Sequence, residues 1–368
     1  MVSISRPVIG EDEIAAVNEV MRSGMLAQGP KVKQFEEDFA RYCNTSFAVA
    51  VNNGTAAIHT ALYALGVKED DEVITSPFTF VASANPILMV GAKVVFADID
   101  EDDFCLSPQA VYAKITGRTS AVIPISLYGQ IYKYDAIKEL AKPRGIKILE
   151  DACQSVGAEV EGARSGNCGD AGAFSLYATK NIMCGEGGVI TTNDAEVAER
   201  CRRFRHHGQS EATRYEYWDL GYNYRLTDLQ AAIAIVQLKK ADALNSKRIN
   251  NAQKLSQGLS GIKGLILPKV KEGHKHVFHQ YTIRITDNFV SSREDLMNYL
   301  KENDIGCGIY YPKPLHLHPH FLKMGYEQGD FPVAEKLAKE VLSLPVHPSL
   351  SDEEVRLIIT KIQTYVGK

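Results

Sequence analysis

Between residues 47 and 192 short apolar stretches alternate with amphipathic ones, and that alternation leaves few architectures open to the chain. Strands are predicted at Phe47–Val51, Glu72–Ile74, Lys93–Phe96, Ala121–Ile125, Lys147–Glu150, Ala171–Leu176 and Gly188–Thr192. Between them, Thr55–Leu65 carries Ile58, Ala61, Leu62 and Leu65 at helical spacing and is closed by Gly66, while Phe80–Met89 and Tyr134–Lys142 also read as helices. Two further helices, Glu11–Ser23 and Lys31–Tyr42, precede the first strand. Strands that alternate with helices predict an α/β class, with a mostly parallel sheet covered on both faces.

The pattern changes after residue 227. Asp228–Ile262 reads as one long helical stretch, followed by a strand at Gln280–Ile285, a helix at Arg293–Glu302, a strand at Cys307–Tyr311 and a helix at Phe331–Leu342. These elements suit a smaller α+β domain. The expected division is a large domain over residues 1–240, including an N-terminal arm, and a small domain over 241–368, with the long helix joining them.

Composition removes several classes of function. A net charge of −4, with no basic tail and no helix-turn-helix with a basic face, argues against nucleic-acid binding. The seven cysteines are scattered, with no CxxC pair, which suits reduced thiols rather than disulfides or a zinc site. No stretch of signal-peptide type opens the chain and no run of about 18 apolar residues occurs, so a cytoplasmic protein without a membrane span is expected.

Four features fall at predicted strand ends, where open α/β sheets bind ligands. Gly54-Thr55 follows a strand and opens a helix, a setting for an anion such as phosphate, or an ordinary helix cap. Glu150 and Asp151 end an apolar strand and point to opposite faces; a buried Asp151 requires a cationic partner, either a ligand's protonated nitrogen or an internal arginine. Cys153 shares Asp151's face if the strand continues, as a spacer rather than a nucleophile. Ser175 stands five residues before Lys180, with a hydroxyl for the same phosphate or for the backbone. Lys180 lies between two buried strands, with Gly185, Gly187 and Gly188 turning the chain behind it. Burial lowers a lysine pKa and frees the neutral amine for a Schiff base; the alternative is a surface lysine in a hairpin loop. Taken together, lysine, carboxylate and phosphate cup match the requirements of pyridoxal phosphate.

The ordered motifs Asn53-Gly-Thr-Ala-Ala57, Ser76-Pro-Phe-Thr-Phe-Val-Ala-Ser83, Glu150-Asp-Ala-Cys-Gln154, Phe174-Ser175, Lys180 with Gly185-Glu-Gly-Gly188, Gly221-Tyr-Asn-Tyr-Arg-Leu-Thr-Asp-Leu-Gln230 and Tyr311-Pro-Lys-Pro-Leu-His316 resemble the DegT/DnrJ/StrS sugar aminotransferases. The resemblance implies the aspartate-aminotransferase-like fold of type I, with pyridoxal 5'-phosphate as cofactor. It assigns Lys180 to the Schiff base and proton transfer, Asp151 to the ring nitrogen, Gln154 to the ring hydroxyl, and Phe80 and Cys153 to the two ring faces. Gly54, Thr55 and Ser175 would bind the phosphate, and Asn223 would reach the phosphate of a neighbouring subunit in a homodimer. A branch of dehydratases in this group carries histidine at the lysine position; this chain keeps Lys180, which points to transamination.

On the same resemblance the donor is glutamate or glutamine and the acceptor a nucleotide-linked keto-sugar, aminated at C4. The alternatives are amination at C3, a carbocyclic ketone such as an inosose, and a regulatory or sensory protein without catalysis. Arg225, Tyr311, His316 and His318 are the substrate-side candidates, the alternative for His318 and for His320 being an exposed loop. His274, His276 and His279 have metal-like spacing but no carboxylate near, and read as a solvated loop and strand start. No metal is expected, and His206-His207 carry no signal.

Overall fold

The apolar stretches form one seven-stranded sheet in the computed structural model, which describes residues 1–210, 213 and 215–367. Its strands are β1 (Phe47–Val51), β2 (Glu72–Thr75), β3 (Lys93–Phe96), β4 (Thr119–Ile123), β5 (Lys147–Asp151), β6 (Ala171–Ser175) and β7 (Gly188–Thr192). Across the sheet they lie in the order β1-β7-β6-β5-β4-β2-β3. The ladders from β3 through to β6 are parallel, and β7 runs against both β6 and β1. β2 and β7 are buried along their whole length, as strands covered on both faces must be. The expected mostly parallel sheet between helices is the one the chain forms.

Helices α1 (Glu11–Ser23), α2 (Pro30–Cys43) and α3 (Gly54–Ala64) follow from local chemistry. α2 buries Val32, Phe35, Phe39, Ala40 and Cys43, and the Phe39 ring meets Phe174 of β6 edge-on at 4.9 Å. α3 is capped by the Asn53 side chain, which accepts the Ala56 N–H at 2.8 Å, and its small residues let it lie buried against the sheet.

A long helix, Asp228–Leu259, joins two packing units and starts with a reciprocal cap between Thr227 and Gln230. Ala231, Ala234, Ile235, Leu238 and Ala241 pack with α2, whereas Ala252, Leu255 and Leu259 pack with a small antiparallel sheet of Leu265–Ile266, Tyr281–Ile285 and Val341–Leu344. The division expected at residue 240 falls within this helix. Packing also crosses it: Leu315, Phe321, Phe331 and Leu337 share the apolar cluster of the main sheet, and Val2 belongs to that of the small sheet.

Several boundaries differ from the sequence reading. The expected helix at Phe80–Met89 is a 3₁₀ turn, Val81–Ser83, followed by a short helix, Asn85–Met89, because Pro86 lacks the N–H an unbroken helix requires. The expected strand at Cys307–Tyr311 is irregular, with Gly308 alone bridged to Ser343. The helix expected at Phe331–Leu342 runs over Pro332–Glu340 and gives way to the strand Val341–Leu344. Among the described residues no helix is long and apolar enough to cross a membrane.

Two buried carboxylates tie the layers together. Asp228 accepts the amides of Gly29 at 2.9 Å, Lys31 at 3.2 Å and Val32 at 3.0 Å, so the start of the long helix caps α2. Glu150 is fully buried and accepts the hydroxyls of Ser126 and Ser165 and the amide of Gly166, at 2.9, 2.8 and 2.7 Å. Burial outweighs these donors and pushes the Glu150 carboxyl up to about 7.

Asp228→Ala leaves three amides, that of Val32 buried, without their acceptor, and should lower the unfolding free energy by roughly 2–4 kcal/mol in urea titration. For Glu150, both folded and unfolded chains hold the proton at low pH. As pH rises above the unfolded value of 4.5, the unfolded chain releases its proton first, so stability falls until pH passes about 7. Glu150→Gln should therefore flatten the stability profile between those pH values by an amount on the order of 3 kcal/mol relative to the native chain.

Candidate active site

The C-terminal ends of β5 and β6 and the N-terminus of α3 open on one cavity of about 930 Å³. Helix and strand meet closely at its edge. A Cβ on Gly54 would stand 2.8 Å from the Cβ of Ser175 and 3.3 Å from the Cys153 sulfur, so only glycine permits this approach of helix to strand. Gly188 plays the same part from β7, where a Cβ would lie 2.3 Å from the Asn53 carbonyl oxygen. The first amides of α3 have no acceptor upstream in the helix, and with the Thr55 side chain and Ser175 they line one end of the cavity. The Ser175 hydroxyl oxygen also accepts the Tyr177 amide at 3.3 Å, which aims it beside that helix end.

Asp151 lies at the cavity floor, 4% exposed. Its Oδ2 accepts the Ser83 hydroxyl at 2.6 Å and its Oδ1 the Cys153 amide at 3.1 Å. No lysine or arginine forms an ion pair with it among the described residues, so the internal-arginine alternative finds no partner here. Glu150, one residue earlier, faces away from the cavity into its own set of donors. The strand ends at Asp151, yet Cys153 still lines the same cavity. Burial first, and the Asp151 charge second, raise the Cys153 thiol far above its ordinary value, which leaves it unreactive.

Lys180 is half-buried and lines the same cavity as Asp151 and Ser175. Burial lowers its pKa, while the charge of Asp151 acts in the other direction. Lys180 forms no ion pair among the described residues. Gln154 accepts the Tyr128 amide at 3.0 Å and offers its NH₂ to the Tyr311 hydroxyl at 3.4 Å. Phe80 is 58% exposed at the mouth, its ring 6.4 Å from that of Tyr311.

Other sequence candidates lie elsewhere. Asn223 is exposed and outside this cavity, bridged to His206, whose Nδ1 is 2.7 Å from the Arg225 guanidinium. Tyr224, between them, lines the wall in their place and meets His59 Nδ1 at 3.2 Å. His316 is not on the cavity. Leu315 turns back into the core and carries it inside, where His316 Nε2 meets Glu335 at 3.0 Å and the ring packs on Phe331. His318 is partly exposed at the cap of the short helix Pro319–Leu322, also away from the cavity.

Ser83, Tyr224 and Tyr310, given no role from the sequence, line the cavity, as does His279, read there as part of a solvated loop and strand start. His276 is buried and stacked on Phe278 at 4.0 Å, and His279 is on the cavity wall, so the solvated loop expected there is instead packed chain. The alternation of Tyr281–Ile285 was the available signal, since the residues before a buried strand enter the protein with it. No cluster of metal-ligating side chains occurs among the described residues.

A model of the DegT/DnrJ/EryC1/StrS aminotransferase family matches residues 7–363. A protein of Geobacillus stearothermophilus named pleiotropic regulatory protein is 43% identical over 352 residues, 95% of this chain and 93% of that one. The dTDP-3-amino-3,4,6-trideoxy-alpha-D-glucose transaminase of Micromonospora megalomicea subsp. nigra is 38% identical over 361 residues, 95% of each chain. The X-ray structure of S. venezuelae DesV in complex with a ketimine intermediate is 36% identical and superposes with a TM-score of 0.92, covering 97% of this chain and 94% of that one. Matched in sequence and fold over nearly its whole length, the chain belongs to the DegT/DnrJ/EryC1/StrS aminotransferase family and is a sugar aminotransferase.

Proposed function

We propose that this enzyme moves an amino group from glutamate or glutamine to a nucleotide-linked keto-sugar, at C4, with pyridoxal 5'-phosphate held on Lys180. The observation that carries this reading is convergence: a lysine amine of lowered pKa, a buried carboxylate without a protein cation, and an anion-suited helix end open on one cavity. The residues present fit the cofactor, since the close approach at Gly54 leaves the helix end free for a phosphate and Asp151 awaits a positive charge.

When bound, pyridoxal phosphate supplies an electron sink for bond changes at the amine-bearing carbon. Lys180 anchors it and moves a proton at that carbon, in both half-reactions. Ser83 and the Cys153 amide hold both oxygens of Asp151, whose charge would pair with the ring nitrogen. Gly54, Thr55 and Ser175 would bind the phosphate and Gln154 the ring hydroxyl, with Phe80 and Cys153 against the ring. Asn223, exposed and away from its own cavity, suits a contact to a neighbouring subunit's phosphate in a homodimer. Tyr311, on the cavity, remains a substrate-side residue of this reading, in a cytoplasmic enzyme, whereas Arg225 is paired with His206 outside it.

Amination at C3 is the second reading, favoured by the name of the Micromonospora relative, a transaminase of a 3-amino sugar. A purely regulatory role is favoured only by the name of the Geobacillus relative, and retention of both Lys180 and Asp151 speaks for catalysis.

Lys180→Ala should lower turnover by about 10³-fold or more and abolish the visible absorbance of covalently held cofactor; normal turnover in that variant would refute the assignment. Enzyme loaded with pyridoxamine phosphate should regain visible absorbance with a nucleotide-linked 4-keto sugar. A response to 3-keto sugars alone selects C3, and a response to an inosose alone overturns the sugar substrate.

A further inference from the structure

His279 stands on the cavity wall with Lys180, and none of the roles above uses it. Its Nδ1 lies 3.1 Å from Asn181 Oδ1. The Asn181 amide can point only one way, because its nitrogen donates to Asn245 Oδ1 at 2.8 Å and to the Val277 carbonyl at 3.2 Å. Asn245 is oriented in turn by its own nitrogen, which donates to the Val156 carbonyl at 2.9 Å. A backbone carbonyl only accepts, so the direction of every bond in this relay follows from Val156 and Val277. Both asparagines are buried, at 6% and 1% exposure, beyond the reach of bulk water. The proton of the imidazole is therefore on Nδ1, and Nε2 carries a lone pair.

The ring also stays uncharged. Burial is the main cause, and the positive charges of Lys180 and Arg248 act in the same direction. Arg248 lies buried under the ring's own backbone, its guanidinium donating to the carbonyls of Phe278 and His279 at 3.3 Å each, and no carboxylate pairs with it among the described residues. Nε2 has no hydrogen-bond partner among the described residues, and the residue that bears it lines the cavity.

We infer that His279 is a positioning residue: its Nε2 accepts a hydrogen bond from an O–H or N–H of the molecule bound beside Lys180, and the Asn181–Asn245 relay sets the tautomer that makes it an acceptor. The inference rests on the reading of this cavity as the substrate site. It excludes His279 as a general base, since its environment resists protonation.

Two substitutions separate this role from a structural one. Glutamine places an amide oxygen where Nε2 stands, and asparagine places its amide where Nδ1 meets Asn181. His279→Asn should raise KM roughly tenfold in the half-reaction whose substrate His279 contacts, whereas His279→Gln should restore most of that loss. Native KM in H279N, or equal loss in both variants, overturns the inference. The tautomer is read independently by ¹⁵N NMR of the ring in cofactor-free protein, with the His279 signal identified by its disappearance in H279Q. A neutral ring protonated at Nδ1 is expected between pH about 5.5 and 8, and an Nε2–H tautomer or a ring that charges in that range overturns it. If the native enzyme accepts glutamate but no keto-sugar, the acceptor assignment fails, while the glutamate half-reaction and the NMR spectrum still decide the role of His279.

Discussion

The approach of α3 to β6, so close that a single methyl group at residue 54 would collide with Ser175, is the constraint from which the site follows. It brings the uncommitted amides of a helix end to the edge of a sheet, beside a serine hydroxyl. It also requires that β7 pass under the helix without a side chain, which is why Gly188 lies against the Asn53 carbonyl. The small residues of α3 serve the same end, since a helix of bulkier residues would be held away from the strands it caps. Packing and ligand chemistry are thus one arrangement here: the glycines that let the layers close are those that bring the helix end to the cavity.

β5 shows how strand geometry sorts two like charges. Glu150 and Asp151 are neighbours in sequence and both buried, yet alternation gives them opposite surroundings. Glu150 is enclosed by protein donors and holds its proton to about pH 7. Asp151 has two donors and an open side facing the cavity. One carboxylate belongs to the fold, and the other is available to a ligand.

Much of this was legible in the sequence because periodic patterns report local geometry. The seven strands of the main sheet, α3 with its glycine start, and the opposed carboxylates all follow from spacing within a few residues. The misplaced features depend on contacts distant in the chain. His316 reads as a substrate-side residue, but Leu315 anchors to Pro77 and the turn carries the imidazole into the core. Val341 and Leu342 continue a helical pattern, yet they pair with Ile283 and Arg284 because the edge of the small sheet was open to them. His279 was hidden for the opposite reason: its partners Asn181 and Arg248 are 98 and 31 residues away, too far for any local pattern to join them.

The tyrosines on the cavity wall belong to a segment fastened at both ends. Gly308 exchanges two hydrogen bonds with Ser343 of the small sheet, Leu315 is bonded to Pro77 beside the main sheet, and the Tyr128 hydroxyl holds the Tyr310 carbonyl between them. Such a wall behaves as a door frame rather than a door. A bulky substrate must pass it at fixed width, so adjustment falls to the exposed rings of Phe80 and Tyr177, which have room to turn.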